Sequence, residues 1–270
     1  MSEPAHRSYL FVPGNRPERF EKALASGADA VIVDLEDAVP PHQKDVARAT
    51  VRAWLVSATR PVVLRINAAD TPWFAADLGL CKHANIAAVM LAKAERTDDL
   101  TTLGDKAHTI LALIESAAGF ANVQAIAAAR NVQRLAFGAI DFQLDLNMHA
   151  TFDELLFFRS QLVLVSKLAN LQAPIDSPST TIEQLDEVVH EAQTAQRLGF
   201  GAKLCIHPKQ VASVNAAFSP SAADTAWAEG VLQANVRAAG AAFALDGKMV
   251  DKPVLLRAEA ILRNAALRRP

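Results

Sequence analysis

Short apolar runs recur along the chain, and helix-like segments separate them. Most of the runs are continuously apolar rather than alternating, which is typical of strands buried on both faces of a parallel sheet. One run is short and contains Pro174. We predict eight strands from these runs, at 8–14, 30–37, 61–67, 87–93, 109–116, 134–141, 171–177 and 201–208.

The segments between the runs carry signals for helix ends. Residues 71–72 offer threonine as an N-cap followed by proline, and "TFDE" (151–154) and "TTIE" (180–183) have the spacing of a capping box. Gly27 and Gly199 precede the second and eighth runs, where each could end a helix in the left-handed conformation. The chain therefore reads as repeated βα units.

Eight βα units with no clear linker predict a (β/α)8 TIM barrel over residues 1–218. An open, doubly wound sheet is the structural alternative. The segment "VPGNRPERF" after the first strand lacks G-x-G-x-x-G, which counts against a nucleotide-binding Rossmann domain. Residues 219–270 read as a helix (221–244), a turn and a last helix. We expect this C-terminal helical extension to pack on the barrel or on an adjacent subunit.

Composition excludes several classes of protein. The 270 residues are 51% hydrophobic and 21% charged, which supports a large buried core, and a net charge of −2 favours neither nucleic acid nor an anionic membrane. No secretory signal or membrane-spanning run is evident. Cys81 and Cys205 suggest buried thiols in a reducing compartment rather than a disulfide framework. We expect a soluble, cytoplasmic protein.

Polar side chains follow most of the predicted strands. In a TIM barrel the catalytic groups lie at the C-terminal ends of the strands, so these residues would share one rim. The rim would be rich in acids, with two basic residues among them. Its members would be Asn15, Asp34, Glu36, Asp37, Arg65, Asn67, Lys93, Glu95, Glu115, Asp141, Asp145, Asp176 and His207.

Glu115 and Asp141 form the most informative pair at this rim. Each ends a predicted strand, and the two strands are consecutive, so they are neighbours in a barrel. Two converging carboxylates suit Mg²⁺, which takes one or two protein carboxylates and keeps water or substrate oxygens. The alternative is that they are two unrelated loop acids.

Arg65 follows four apolar residues and needs an anion if it is buried. It could bind a substrate carboxylate or enolate, or form a structural ion pair with a strand-end acid such as Glu36 or Asp37. Lys93 could be a Schiff-base nucleophile, but Glu95 nearby favours the ammonium form. "PGNRPERF" (13–20) could hold a phosphate at a helix start.

Two further basic residues read as structural. Lys203 lies inside the last strand, where we expect an ion pair with a rim acid, and His207 precedes Pro208 at a strand-to-helix turn.

Several segments together resemble the citrate lyase β-subunit-like branch of the HpcH/HpaI aldolase superfamily. The resemblance runs from about Arg7 to Ala260, with the motifs in the order of that branch. The segments are "RSYLFVPGNRPERFEKALASGADAVIVDLEDAV", "LRIN", "KAE", "LIESAAGF", "FGAIDFQLDL", "GFGAKLCIHPKQV" and "GKMVDKP".

The resemblance implies a barrel that cleaves or forms a C–C bond in a 3-hydroxyacyl thioester of CoA or an acyl-carrier protein, with Mg²⁺. It places the metal carboxylates on Glu115 and Asp141 and the substrate-binding arginine on Arg65. It also implies a homotrimer or homohexamer, in which Asp251 of one subunit closes over the next subunit's site. Malyl-, citramalyl- and citryl-thioesters are the expected substrates.

We assign catalytic roles to Arg65, Asp251, Glu36 and Asp37, and substrate-binding roles to Arg65, Lys93 and Asn15. Two other readings stay open: a metal-dependent aldolase acting on free hydroxy-oxo acids, and a subunit of a lyase complex that is inactive alone. The chain also departs from the family pattern. Ala92 replaces a common proline, Ala118 a larger or charged residue, and the loop after "PIDSPS" (174–179) is short. These departures bear on the acyl carrier more than on the metal site.

Overall fold

The computed structural model describes residues 6–237, 243–245 and 247–266. They divide into two compact units, His6–Val214 and the segment from Asn215 onward. The sequence analysis placed this boundary at residue 218.

Eight parallel strands close into a barrel in chain order, each hydrogen-bonded to the next and the eighth to the first. The predicted TIM barrel is confirmed, and the open-sheet alternative is wrong. All eight apolar runs contain a strand, although the seventh has only two residues. The strands are β1 (Ser8–Pro13), β2 (Ala30–Asp34), β3 (Val62–Ile66), β4 (Ile86–Leu91), β5 (Ile110–Ile114), β6 (Val132–Phe137), β7 (Ile175–Asp176) and β8 (Ala202–Cys205).

Helices connect successive strands. A short 3₁₀ turn precedes each of the first two helices, at Pro17–Arg19 and Pro41–Gln43. Two short helices, separated at Asn122, follow β5. The helices of this unit are α1 (Phe20–Leu24), α2 (Lys44–Leu55), α3 (Phe74–Asp77), α4 (Thr97–Gly104), α5 (Ala117–Ala121), α6 (Val123–Ala127), α7 (Ala139–Asp145), α8 (Leu156–Leu168), α9 (Leu185–Leu198) and α10 (Pro208–Ala217).

Two of the predicted helix starts are wrong. Helix α3 begins at Phe74, because the Thr71 hydroxyl donates back to the carbonyl of Ala68 instead of capping a helix. Helix α9 begins at Leu185, and Glu183 binds Lys209 rather than completing a capping box. The first is a local side-chain contact that competes with the cap, and the second is an ion pair with a residue distant in sequence.

The other predicted helix-end signals, the capping spacing at 151–154 and the two glycines, agree better with the structure. The carboxylate of Glu154 accepts from both the backbone N–H and the hydroxyl of Thr151, as the capping spacing predicts, but α8 begins only at Leu156. Gly27 and Gly199 have φ of +82° and +111°, which confirms left-handed turns after the helices that precede β2 and β8.

Alternate residues of the strands fill the barrel interior, as the two-residue period of a strand requires. The buried cluster includes Ile32 of β2, Val63 of β3 and Leu111 and Leu113 of β5. Continuing the same period toward the C-terminal ends places three polar side chains on the inner face. These are Asp34, Arg65 and Glu115.

A buried arginine lies deeper in the barrel unit. Arg134 of β6 has no exposed surface, and it donates to the carbonyls of Ala173 and His6 and to the Tyr9 hydroxyl. Gly201 makes room for it, since a Cβ there would lie 2.7 Å from Arg134 Nη2.

The C-terminal unit contains α11 (Ala222–Arg237), a two-stranded antiparallel sheet of β9 (Phe243–Leu245) and β10 (Lys248–Val250), and α12 (Lys252–Ala266). The sequence analysis predicted helix as far as residue 244 and a turn after it, so the strands of this hairpin were missed. Residues 238–242, which it assigned to the first helix, lie outside the described residues. A search of the described helices finds none with the length and hydropathy needed to cross a membrane.

We predict that Gly201→Ala destabilises the barrel by about 1–3 kcal/mol, because the added methyl group overpacks a filled space. The new Cβ would also lie 3.0 Å from the Cβ of Ala173. Urea denaturation would measure the loss. The matched control is Gly104→Ala, whose Cβ would meet nothing closer than 3.7 Å. An equal loss in both variants would contradict the packing argument.

Candidate active site

A buried ion pair joins β2 to β3 at the C-terminal end of the barrel. Asp34 and Arg65 are partners in the strand register, so their side chains emerge side by side. Arg65 Nε lies 2.7 Å from Asp34 Oδ1 and Nη2 lies 2.6 Å from Oδ2, a two-pronged contact. Asp34 also accepts the N–H groups of Glu36 and Ala38, so it shapes the turn that follows β2.

That turn brings two more carboxylates to the same guanidinium. Glu36 Oε2 lies 2.9 Å from Arg65 Nη1, and the exposed Asp37 lies 3.7 Å from the same nitrogen. The Phe11 ring covers the guanidinium at 4.7 Å. Arg65 is therefore fixed in position by its neighbours, and Asp34, which the sequence analysis gave no catalytic role, is its main anchor.

Glu115 lies on the inner face one residue beyond β5 and is almost completely buried. Its Oε1 accepts the N–H of Lys93, a residue held at a φ of +45°. Its other oxygen occupies space left by Gly138, where a Cβ would lie 2.6 Å from Oε2. The glycine and the left-handed lysine together fix the direction of this carboxylate.

Asp141 reaches the same site from a different element than predicted. Strand β6 ends at Phe137, and Asp141 lies in the first turn of α7 rather than at a strand end. The charge of the Asp141 carboxylate still contributes to raising the pKa of Glu115, and the metal pair stays a prediction.

The carboxyl groups of this site hold protons unusually tightly. Burial raises the pKa of Glu115 to about 8, and burial raises that of Glu36 to about 7 despite the opposing effect of Arg65. Burial and then the neighbouring Asp37 also raise the pKa of Asp141. Burial is the largest cause for each of the three acids, and neighbouring carboxylates add to it.

The neighbouring carboxylates stabilise the charged forms of the two cations at the rim, Arg65 and Lys93. Burial opposes the ammonium form of Lys93, but the carboxylates of Glu115 and Glu36 outweigh it and raise its pKa. This is the opposite of what a Schiff-base lysine needs. No group of three or more metal-binding side chains occurs within the described residues. Glu115 and Asp141, with water or substrate oxygens, suit an ion such as Mg²⁺.

A cavity of about 730 Å³ opens beside these groups. Asp34, Asp37, Arg65 and Asp141 line its charged part. Its other walls are mostly apolar, with the exposed basic side chains of Arg19 and Lys22 among them. These walls include Phe11, Pro13, Ile140, Pro178, Ile206 and His207. The cavity has the size and mixed lining of a small-molecule site.

The remaining predicted site residues lie elsewhere. Asn15 donates to Gln43 Oε1 and is not among the residues that line the cavity. Asp251 belongs to the C-terminal unit, where its Oδ1 accepts the N–H of Val254 at the start of α12.

The predicted structural residues behave as expected. Lys203 pairs with Asp176, its partner in the β7–β8 register, at 2.9 Å. The Nδ1 atom of His207 accepts the N–H of Lys209 at the turn after β8. Cys81 and Cys205 are buried, free thiols whose pKa burial raises to about 12.

Comparisons with known proteins identify the family of this chain. The sequence profile of the HpcH/HpaI aldolase/citrate lyase family matches residues 7–208. The chain belongs to this family. A citrate lyase subunit beta-like protein of Mycobacterium tuberculosis is 38% identical over 95% of this chain and 94% of its own. A (3S)-malyl-CoA thioesterase of Cereibacter sphaeroides is 30% identical over 98% of this chain and 97% of its own.

A solved structure of the family has the same architecture. Protein CitE of M. tuberculosis, crystallised with magnesium, acetoacetate and coenzyme A, superposes with a TM-score of 0.86 at 37% identity, covering 97% of this chain and 98% of its own. Another CitE structure contains magnesium and pyruvate.

Sequence reasoning overlooked two features that organise the site in this family member. Gly138 went unnoticed, although a glycine directly after an apolar run can indicate a close approach of another group. Lys44 was also missed, because a lysine at the start of a helix is normally exposed, whereas this one is buried.

The raised pKa of Glu115 predicts how stability depends on pH when divalent cations are chelated. Its folded value of about 8 exceeds the reference value of 4.5, so the folded state binds the proton more tightly. That contribution is complete below the unfolded pKa and is lost as pH rises through the folded one. We expect the wild-type protein to lose stability between about pH 5.5 and about pH 8, and Glu115→Gln to lose less.

Urea denaturation at both pH values in the presence of EDTA would measure the difference. Equal losses in the two proteins would show that Glu115 is ionised without cost and would contradict the charge argument.

Proposed function

We propose that this protein is a Mg²⁺-dependent C–C lyase that cleaves or forms a 3-hydroxyacyl-CoA thioester, releasing an acyl thioester and a 2-oxo acid. The observation that carries the proposal is the pair of the buried Glu115 and the half-buried Asp141, both with raised pKa values, near a fixed arginine that lines a cavity of about 730 Å³ together with Asp141. An excess of carboxylate next to an anion-binding arginine is suited to a cation and an oxyanion together.

Glu115 and Asp141 would hold the ion. When bound, Mg²⁺ acts as a Lewis acid toward the oxygens of the oxo acid and orients them. The magnesium in the related CitE structures, together with acetoacetate or pyruvate, supports this assignment.

Arg65 would bind the negative charge that develops during the reaction. In cleavage, the 3-hydroxyl group loses its proton and the C2–C3 bond breaks. The bonding electrons pass to the thioester as an enolate, which takes up a proton at C2. A guanidinium fixed by Asp34 and Glu36 can stabilise that oxyanion without reorganising. Lys93 adds positive charge at the same rim.

Three further roles complete the proposal. Asp251 of a neighbouring chain in a homotrimer or homohexamer is the candidate proton carrier, and Asp37 is exposed at the cavity wall, where it can order water. Arg19 and Lys22 could bind the phosphates of coenzyme A, which the CitE complex contains.

A second candidate function is hydrolysis of the same thioester, since one relative is a (3S)-malyl-CoA thioesterase. Products separate the two reactions. A lyase converts malyl-CoA to an acyl-CoA and a 2-oxo acid, whereas a thioesterase releases free coenzyme A and leaves the carbon skeleton intact. Chromatography of the products from purified protein, with CoA thioesters and with free hydroxy-oxo acids, would decide between them. Turnover without added partners would exclude a subunit that is inactive alone.

We predict that Glu115→Ala lowers kcat/KM by at least about 100-fold on malyl-, citramalyl- or citryl-CoA with Mg²⁺. Loss of even an outer-shell partner typically costs about 10–100-fold in metal affinity or activity. EDTA should abolish the wild-type activity. The matched control is Glu187→Ala on the exposed face of α9, which should leave the rate unchanged. Full activity of Glu115→Ala, or indifference to EDTA, would refute the metal role.

We also expect that borohydride traps no adduct on Lys93 in the presence of a 2-oxo acid, because its raised pKa keeps the amine protonated. Mass spectrometry of the digested protein would detect such an adduct. A reduced adduct on Lys93, together with activity in EDTA, would favour a Schiff-base aldolase instead.

A further inference from the structure

The acidic turn after β2 is tied down by a buried lysine. Lys44, the first residue of α2, is only 6% exposed. Its Nζ lies 2.8 Å from the carbonyl oxygen of Leu35, 2.7 Å from that of Glu36 and 2.7 Å from Asn67 Oδ1. All three ammonium protons therefore have acceptors, and two of these acceptors are backbone carbonyls of the turn.

Asn67 extends this anchor to the segment after β3. Its Nδ2 donates to the Leu35 carbonyl at 3.1 Å and to Asp77 Oδ2 at 2.6 Å. Asp77 is fully buried and accepts in turn from Arg48 Nε at 2.8 Å. Lys44 and Arg48 lie one turn apart on α2, so this helix supplies a hydrogen-bond donor to the acidic turn and another to Asp77.

Both backbone polar atoms of Leu35 are hydrogen-bonded. Its N–H donates to the carbonyl of Arg65 at 2.9 Å, and its oxygen accepts from Lys44 and Asn67. Leu35 precedes Glu36, whose carboxylate contacts Arg65 Nη1. A shift of the turn would move Glu36, and with it one of the groups that aim the guanidinium.

We propose that Lys44 is a positioning residue for the reaction: it fixes the turn 34–38 so that Glu36 holds Arg65 in the orientation that receives the developing negative charge. Lys44 is not among the residues that line the cavity, so it acts through the turn and not on substrate. The functional half of this inference rests on the proposed lyase activity, whereas the structural half stands independently.

Hydrogen exchange of the turn tests the structural half. The Glu36 and Ala38 amides donate to Asp34, so they report on the turn itself. We expect Lys44→Met to accelerate their exchange about tenfold or more, since the turn then opens locally. The matched control is Leu55→Ala, which removes a fully buried side chain at the other end of α2 and lowers global stability. In the control these two amides should exchange no faster than other amides of the barrel.

Steady-state kinetics test the functional half, at a temperature where all variants are folded. We expect Lys44→Met to lower kcat on the active CoA thioester by about 100-fold with a smaller change in KM, because misplaced groups cost most in the transition state. Leu55→Ala should retain both parameters. Should Lys44→Met fail to fold, Asn67→Ala carries the same test, since it removes one Lys44 acceptor and one donor to Leu35.

The outcomes are distinguishable. Unchanged exchange at Glu36 and Ala38 would overturn the positioning role, as would faster exchange with unaltered kcat. A wild-type protein that turns over none of the thioesters would refute the proposed function, and the exchange comparison would still decide whether Lys44 fixes the turn.

Discussion

The acidic end of this barrel depends on one buried guanidinium. Arg65 is held by both oxygens of Asp34 and by Glu36, and the Phe11 ring covers it. Removing one member of such a buried pair typically costs about 3–5 kcal/mol, because the partner charge is left without compensation. The same contacts that make Arg65 expensive to remove also prevent it from reorienting. A fixed cation of this kind is what stabilisation of a developing oxyanion requires.

One arginine does not balance the site. Burial raises the pKa of Glu115 and of Asp141, and neighbouring carboxylates add to the effect: Glu36 and Asp141 act on Glu115, and Asp37 acts on Asp141. A divalent cation would offset both effects, and it would do so near Arg65, the proposed oxyanion-binding group. In the proposed function the rim has two tasks: the carboxylates after β5 and on α7 are suited to a metal, and Arg65 of β3 to the substrate. Family membership and the magnesium complexes of CitE are consistent with this division.

Predictions that rested on the periodic pattern of the strands were more accurate than predictions that depended on side-chain contacts. Glu115 was placed well because a two-residue period carries the inward direction of Leu111 and Leu113 one step further. Asp141 was assigned to a strand end because nothing in "RLAFGAID" shows where the strand stops, yet α7 begins at Ala139. Two predicted helix starts were wrong because another side-chain contact replaced the cap. Lys44 escaped notice because its three acceptors come from segments that only the fold brings together.

By itself the sequence determined the number and order of the strands, the barrel they form and the residue types at its rim, because hydrophobic period and turn residues are local properties. Only the tertiary structure decided which rim residues meet. The register of β2 against β3 pairs Asp34 with Arg65, the absence of a side chain at Gly138 admits the Glu115 carboxylate, and α2 brings Lys44 to the acidic turn. Each of these contacts joins segments distant in sequence, and none leaves a periodic signal in the chain.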